Sequence, residues 1–200
     1  PSFDTLGVLC RDVSTVAAVH SVLAGPVPAA PVSGAKPPLR IGLCHTPWWD
    51  HAQPASRDAI ALAERALSVD ALVEGIDLSA FAEGVRLHAE IMAFEAAQTL
   101  ASELTAPPEG LSPVLRAMLV SGMRTDRASH RENLRQAADL RDRIAGLFDR
   151  YDLLLAPAAP GEAPTGLGAT GDPIFSRLWS LLHLPAITLP GFAGPAGMPV

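Results

Sequence analysis

The sequence is short of the residues that mark several protein classes. It holds only two cysteines, Cys10 and Cys44. Two are too few to staple a small secreted fold, so both read as reduced thiols that fill apolar space in a cytoplasmic protein. Lys36 is the one lysine, and 15 Lys and Arg stand against 21 Asp and Glu, a net charge of −6. A mildly acidic chain without a basic patch is not a nucleic-acid partner. No apolar run reaches the about 18 residues that span a bilayer, and no secretory leader opens the chain, so no membrane role is expected. Gly-rich phosphate loops, G-x-S-x-G, H-E-x-x-H and C-x-x-C patterns are all missing, and with them any expectation of a cofactor or a metal. There is no internal repeat.

What is present is a globular composition. Hydrophobic residues make up 48% and charged residues 18% of 200 residues, enough for one sizeable core. The chain opens at Pro1-Ser2-Phe3 without Met and stops at Gly197-Met198-Pro199-Val200 without a polar tail. Natural termini are usually polar and exposed, so the expectation is a single partial domain over residues 1–200, cut at both ends.

Periodicity places the elements. Asp12 or Ser14 can cap a helix carrying Val13, Val16, Val19 and Leu23 on one face, with Gly25 ending it. Residues 26–38 are a Pro/Gly/Ala loop, and residues 39–44 (LRIGLC) a short apolar strand. A helix over 53–67 and a strand over 71–76 follow, which together predict a parallel crossover. A long helix is expected over 79–104, with Leu87, Ile91, Met92, Phe94, Ala96 and Leu100 nearly encircling it, so it should be well buried. Pro107 and Pro108 stop it.

Further helices are predicted over 112–123 and 126–148. The second turns Ala137, Leu140, Ile144 and Leu147 inward and carries Arg131, Arg135, Asp139, Asp142 and Arg143 on a solvated face. Residues 152–155 (DLLL) form an unalternating apolar strand, a pattern of sheets covered on both sides. After a Pro/Gly loop over 157–171 come a helix over 172–182 and a last strand over 186–189. The class is α/β, with a mixed, mostly parallel sheet covered by helices.

Motifs for chemistry are sparse. Ser33-Gly34-Ala35-Lys36 matches S-x-x-K, but Pro31, Pro37 and Pro38 argue against the helix that would bring serine and lysine together. His45, Asp50 and His51 crowd one loop, yet their irregular spacing suits polar loop residues around Trp48 and Trp49 better than a metal site. Gly171-Asp172-Pro173 opens a helix bearing Phe175 and Trp179 one turn apart. These two aromatics can line a small-molecule cleft or form a stripe in the core. They are the candidate substrate-binding residues. No residue is a candidate for catalysis.

Four segments together resemble the amidase signature family. Ser2-Phe3-Asp4-Thr5-Leu6-Gly7 with Arg11-Asp12 resembles its S-x-D-T-x-G…R-D stretch. Arg40-Ile41-Gly42 with Thr46-Pro47-Trp48-Trp49 resembles its next strand and loop. Phe148 to Pro157 resembles its F-x-x-Y-D-x-L-L-x-P strand. Leu184-Pro185-Ala186-Ile187-Thr188-Leu189-Pro190-Gly191, followed by Gly197-Met198-Pro199-Val200, resembles its L-P-A-I-x-x-P…G-L-P-V close. The stretch around Phe175 and Trp179 looks like a subgroup that acts on small amides. His183 departs from the pattern, because many members carry Gly there.

The resemblance implies hydrolysis of a carbon–nitrogen amide bond. In the family a serine attacks the carbonyl while a second serine, in a cis peptide, and a lysine relay protons. Those three residues lie N-terminal to the stretch matching Ser2 to Gly7, and no residue here matches them. The implied partners are a small-molecule amide substrate, the missing N-terminal portion of the same protein, and possible pairing as a homodimer. The competing readings are a non-catalytic binding module or degenerate amidase, and an unrelated hydrolase using Lys36 or the His45/His51 loop.

Loss of the packing N-terminal portion should leave sheet edges and an apolar face bare. The isolated chain is therefore expected to be poorly soluble or partly molten. A sharp, cooperative thermal transition of a soluble monomer in scanning calorimetry would count against this.

Overall fold

The computed structural model describes residues 2–25, 37–105, 110–189 and 191–200. They fall into two units, Asp4–Pro37 and a larger one made of Pro1–Phe3 with Pro38–Val200. The smaller unit contains helix α1 (Val13–Ala24), whose cap is Asp12: its carboxylate accepts from the Thr15 amide at 2.8 Å. Gly25 ends the helix at φ 83°. No residue of α1 is buried. Cys10 is exposed as well, which corrects the reading of both thiols as buried filler. Ser33 and Lys36, and with them the S-x-x-K pattern, lie outside the described residues.

The larger unit is built on a parallel sheet. Strand β1 (Leu39–His45) pairs with β2 (Ala71–Asp77) on one side and β3 (Leu153–Leu155) on the other, giving the order β2-β1-β3. Helix α2 (Pro54–Leu67) makes the crossover between β1 and β2. The sheet is parallel throughout, and its central strand is the most fully buried. Ile41, Leu43 and Cys44 are all buried, as a strand covered on both faces requires. At the head of the strands, Arg40 donates from its backbone amide and its guanidinium to the Asp152 carboxylate, at 2.8 and 2.9 Å. This pair sets the register of β3 on β1.

One sheet face carries Gly42, Cys44, Ile76 and Leu154 and meets the main core. Gly42 is needed there, since a Cβ would come within 3.0 Å of Ile76 and 3.1 Å of Leu154. Over this face lies helix α3 (Gly84–Thr99), packed by α5 (Pro113–Arg124), α6 (Arg127–Ala145) and α7 (Ile174–Leu181). Leu87 and Ile91 of α3, Leu119 of α5, Ala137 and Ile144 of α6, and Leu178 and Leu181 of α7 are at most 1% exposed. Truncating any one of these leucines or isoleucines to Ala should cost about 2–5 kcal/mol. The opposite face is less complete. Leu39 and Leu153 remain about half exposed there, and Leu72 is exposed at the far end of the first face.

Two expected elements differ. The long helix over 79–104 is three pieces, a 3-10 turn (Ser79–Phe81), α3 and the short α4 (Ala101–Thr105). The break before α3 reflects packing. A Cβ at Gly84 would sit 2.6 Å from Leu178, so this turn has the one residue that lets α7 approach. Residues 186–189 form no strand, and Ile187 and Leu189 are exposed. A strand is defined by its ladder partner, and among the described residues this apolar segment has none.

Helices α3 and α5 touch backbone to backbone at Gly122. A Cβ placed there would collide with the Ala93 carbonyl oxygen, and backbone cannot step aside as a side chain can. Gly122→Ala should therefore destabilise the protein by about 3 kcal/mol or more through overpacking. Its denaturant midpoint, compared with that of a Gly146→Ala control in open space, measures the difference.

Candidate functional site

Parallel strands present all their carboxyl ends at one edge, and in open α/β sheets this edge is where ligands are held. Here the edge is formed by the segments that follow His45, Asp77 and Leu155. The segment after β1 turns through Trp48 and a 3-10 turn (Trp49–His51) to Ala52. Helix α7 arrives at the same place. The Asp172 carboxylate accepts from the Ile174 amide at 3.0 Å and starts the helix. Phe175 then packs with Ala52 and Ile174, flanked by Trp48 and Val85, and is 1% exposed. Trp179, one turn on, is half-buried against the main core. The two sequence-selected aromatics thus differ in access: Phe175 is covered, while Trp179 keeps part of its ring open.

The loop histidines do not converge. His45 lies edge-on to Trp49 with ring centroids 5.0 Å apart, and Asp50 and His51 are exposed. Among the described residues no three His, Cys, Asp or Glu side chains gather as a metal site would need. Asp77, opposite His45 in the ladder, has its carboxyl held below the usual range by the Ser79 hydroxyl and amide, and then by His45. Cys44 is sealed in the core, where burial pushes its thiol up to about 12, so it is no nucleophile.

No sequence motif marks His88. It is buried, its ring stacks on Phe3 at 4.6 Å, and its Nδ1 has no hydrogen-bond partner. Burial first, and then the positive charge of Arg177, pull its imidazole down to about 4. Arg177 Nε is likewise buried without a partner. His183 follows α7 in left-handed backbone, φ 57°. That explains why glycine suits this position in the resembling family. Here His183 meets Arg141 at 2.9 Å, and Arg141 also donates to the Leu181 carbonyl at 2.8 Å, closing the C-terminus of α7.

A second polar group sits farther along α3. The Glu95 carboxylate accepts from the Ser2 amide at 2.6 Å and from the Ser2 hydroxyl at 2.5 Å. His130 of α6 stands 3.9 Å from Glu95 and stacks on Phe94 at 4.0 Å, with its Nδ1 buried and unpartnered. Beside them is an open depression of about 400 Å³ lined by Ser2, Phe94, Glu95, Gln98 and Thr99. Ser2 opens the S-x-D-T-x-G stretch, but Glu95 belongs to no motif, and no spacing in the sequence joins residues 93 positions apart. None of the described serine hydroxyls hydrogen-bonds to a histidine or a lysine.

The state of His88 has a measurable consequence. An unfolded histidine gains its proton near pH 6.5, whereas the folded imidazole resists until about 4. The stability it supports is complete above pH 6.5 and is lost as the pH falls towards 4, a loss of about 2–3 kcal/mol. His88→Phe should flatten that part of the stability profile. Superimposable wild-type and variant profiles from urea titrations between these limits would show that His88 is already charged in the fold.

Comparison with known proteins places the chain. The sequence profile described as Amidase matches residues 1–200. The 1-carboxybiuret hydrolase subunit AtzE of Pseudomonas sp. (strain ADP) is 29% identical over 177 residues, 82% of this chain and 38% of that protein. A crystal structure of an amidase superposes with a TM-score of 0.75 at 26% identity, over 94% of this chain and 45% of that one. An inhibitor-bound vestigial protein complex, described as revealing the evolutionary origins of an s-triazine catabolic enzyme, gives 0.70 at 25% identity, over 88% and 44%. The chain thus spans less than half the length of these relatives. By the match along its whole length, it belongs to the amidase family.

Proposed function

We propose that this chain is the C-terminal part of an enzyme that hydrolyses carbon–nitrogen amide bonds. The observation that carries this reading is the family match over residues 1–200, combined with a chain that spans only 38% to 45% of its relatives. The serine nucleophile, the cis-peptide serine and the lysine belong to the part not present in these 200 residues. The absence of a serine–base pair among the described residues is in keeping with that division of labour.

In this reading residues 1–200 are one partial domain that contributes part of the sheet and one wall of the substrate cleft. Trp179 offers the open part of its ring to a small-molecule amide, and Phe175 anchors the same helix against Ala52 and Trp48. The N-terminal portion of the same protein covers the bare strand residues Leu72 and Leu153 and the unpaired segment around Ile187 and Leu189. Burying such surfaces is worth roughly 25 cal/mol per Å², so the two portions fold as one body. The cytoplasm is the compartment we assign, because both thiols, Cys10 and Cys44, are free. The substrate is a small amide; the relative named above is a 1-carboxybiuret hydrolase.

Two measurements decide the matter. An antibody raised against this chain should detect a natural protein well above 20.9 kDa, and that protein should release amine from simple amides. The 200-residue chain by itself should release none. Turnover by the chain alone, or a natural product of the same mass as the chain, would overturn the proposal.

A further inference from the structure

The depression beside α3 holds one carboxylate, that of Glu95. A carboxylate has about four lone-pair sites and no donor, and Ser2 occupies two of those on Glu95 through its amide and its hydroxyl. His130 is too far away, at 3.9 Å, to take a third. No arginine among the described residues pairs with Glu95. A partly buried acceptor with unfilled capacity therefore borders an open space.

Gln98 and Thr99 line the depression from the last turn of α3, and their side chains can both donate and accept. Phe94 adds an apolar ring. The volume, about 400 Å³, lies within the range of small-molecule sites. The Glu95 carboxylate thus stands beside an aromatic surface.

We propose that this depression is a binding site for a nitrogen hydrogen-bond donor, a primary amide or an ammonium group carried on an apolar ring, with Glu95 as its acceptor and Phe94 as its apolar wall. Identifying that ligand with the substrate amide or the amine product rests on the amide-hydrolase reading. The site itself does not. Glu95 is a positioning residue here, since it holds nitrogen without forming a bond to it.

Calorimetric titration of the longest natural form of the protein containing this chain tests the site without measuring hydrolysis. The probes are benzamide, benzylammonium and benzoate at constant ionic strength. Benzamide or benzylammonium should bind with a dissociation constant in the millimolar range or below, at least roughly tenfold more tightly than benzoate. Preference for benzamide identifies the ligand as a substrate-like amide, and preference for benzylammonium as a product-like amine. Glu95→Gln should weaken benzylammonium about tenfold. Ser2→Ala, which keeps the carboxylate and frees one lone pair, should leave binding intact. Benzoate binding as tightly as the other two, no binding by any probe, or loss of binding in Ser2→Ala would overturn the proposal. Binding in a protein that hydrolyses no amide would instead sink the enzymatic reading and leave this site standing.

Discussion

Burial of α3 on several sides is the constraint on which the rest of the larger unit depends. The helix is packed by α5, α6 and α7, and two glycines let its neighbours approach, Gly84 opposite Leu178 and Gly122 against the Ala93 carbonyl. Close approach of backbones leaves little freedom to slide, because interiors are packed like crystals. The helix is therefore a rigid spine, and its polar side chains are placed by it. His88 and Glu95 lie about two turns apart and both engage the Ser2–Phe3 segment, one through the Phe3 ring and the other through Ser2. A third tie runs to α6, where Asn133 donates to the Glu90 carboxylate at 2.9 Å, a group also held by Arg86.

The sheet contributes direction. Three parallel strands point their carboxyl ends at one edge, and the segment that follows β1 brings Trp48 and Ala52 to meet Phe175 from α7. Trp48 packs against both the main core and this smaller cluster. The edge is thereby tied to the core through a single large side chain. Beyond it, the Gln53 amide donates to the Pro160 carbonyl, and the Ser56 hydroxyl to the Ala159 carbonyl at 2.9 Å, so the segment after β3 is held against α2. The Glu162 carboxylate in turn accepts from the Ala196 and Met198 amides. Local polar contacts of this kind fix loops that have no ladder of their own.

Several buried polar atoms remain without partners, among them Thr46 Oγ1, His88 Nδ1, Arg116 Nη2 and Arg177 Nε. Native interiors satisfy nearly all such groups, and an unpaired one costs about 1–3 kcal/mol. The half-exposed leucines on the strands are a separate feature, in a chain that spans less than half of its relatives' length.

Much of the architecture was legible in the residues. The apolar run Ile41–Gly42–Leu43–Cys44 marks a central strand because burial on both faces removes the need for alternation. Asp12, one of the two caps offered for α1, caps it, and Ser112 and Asp126, where the next two helices were expected to begin, turn out to be their caps. The four ordered motifs identify the family without any coordinates. Tertiary structure alone decided the remainder. The segment over 186–189 reads as a strand yet has no partner among the described residues to make it one, since pairing is a property of two segments and not of one. Phe175 and Trp179 share one helical face in the sequence, but only packing separates the covered ring from the open one. Glu95 meets Ser2, and His88 meets both Phe3 and the field of Arg177, across separations at which no local pattern exists. Local propensity acts over a few residues through backbone sterics and nearby hydrogen bonds, so it determines the elements and their caps. The polar groups that can meet a ligand are assembled by burial, which no single segment can specify.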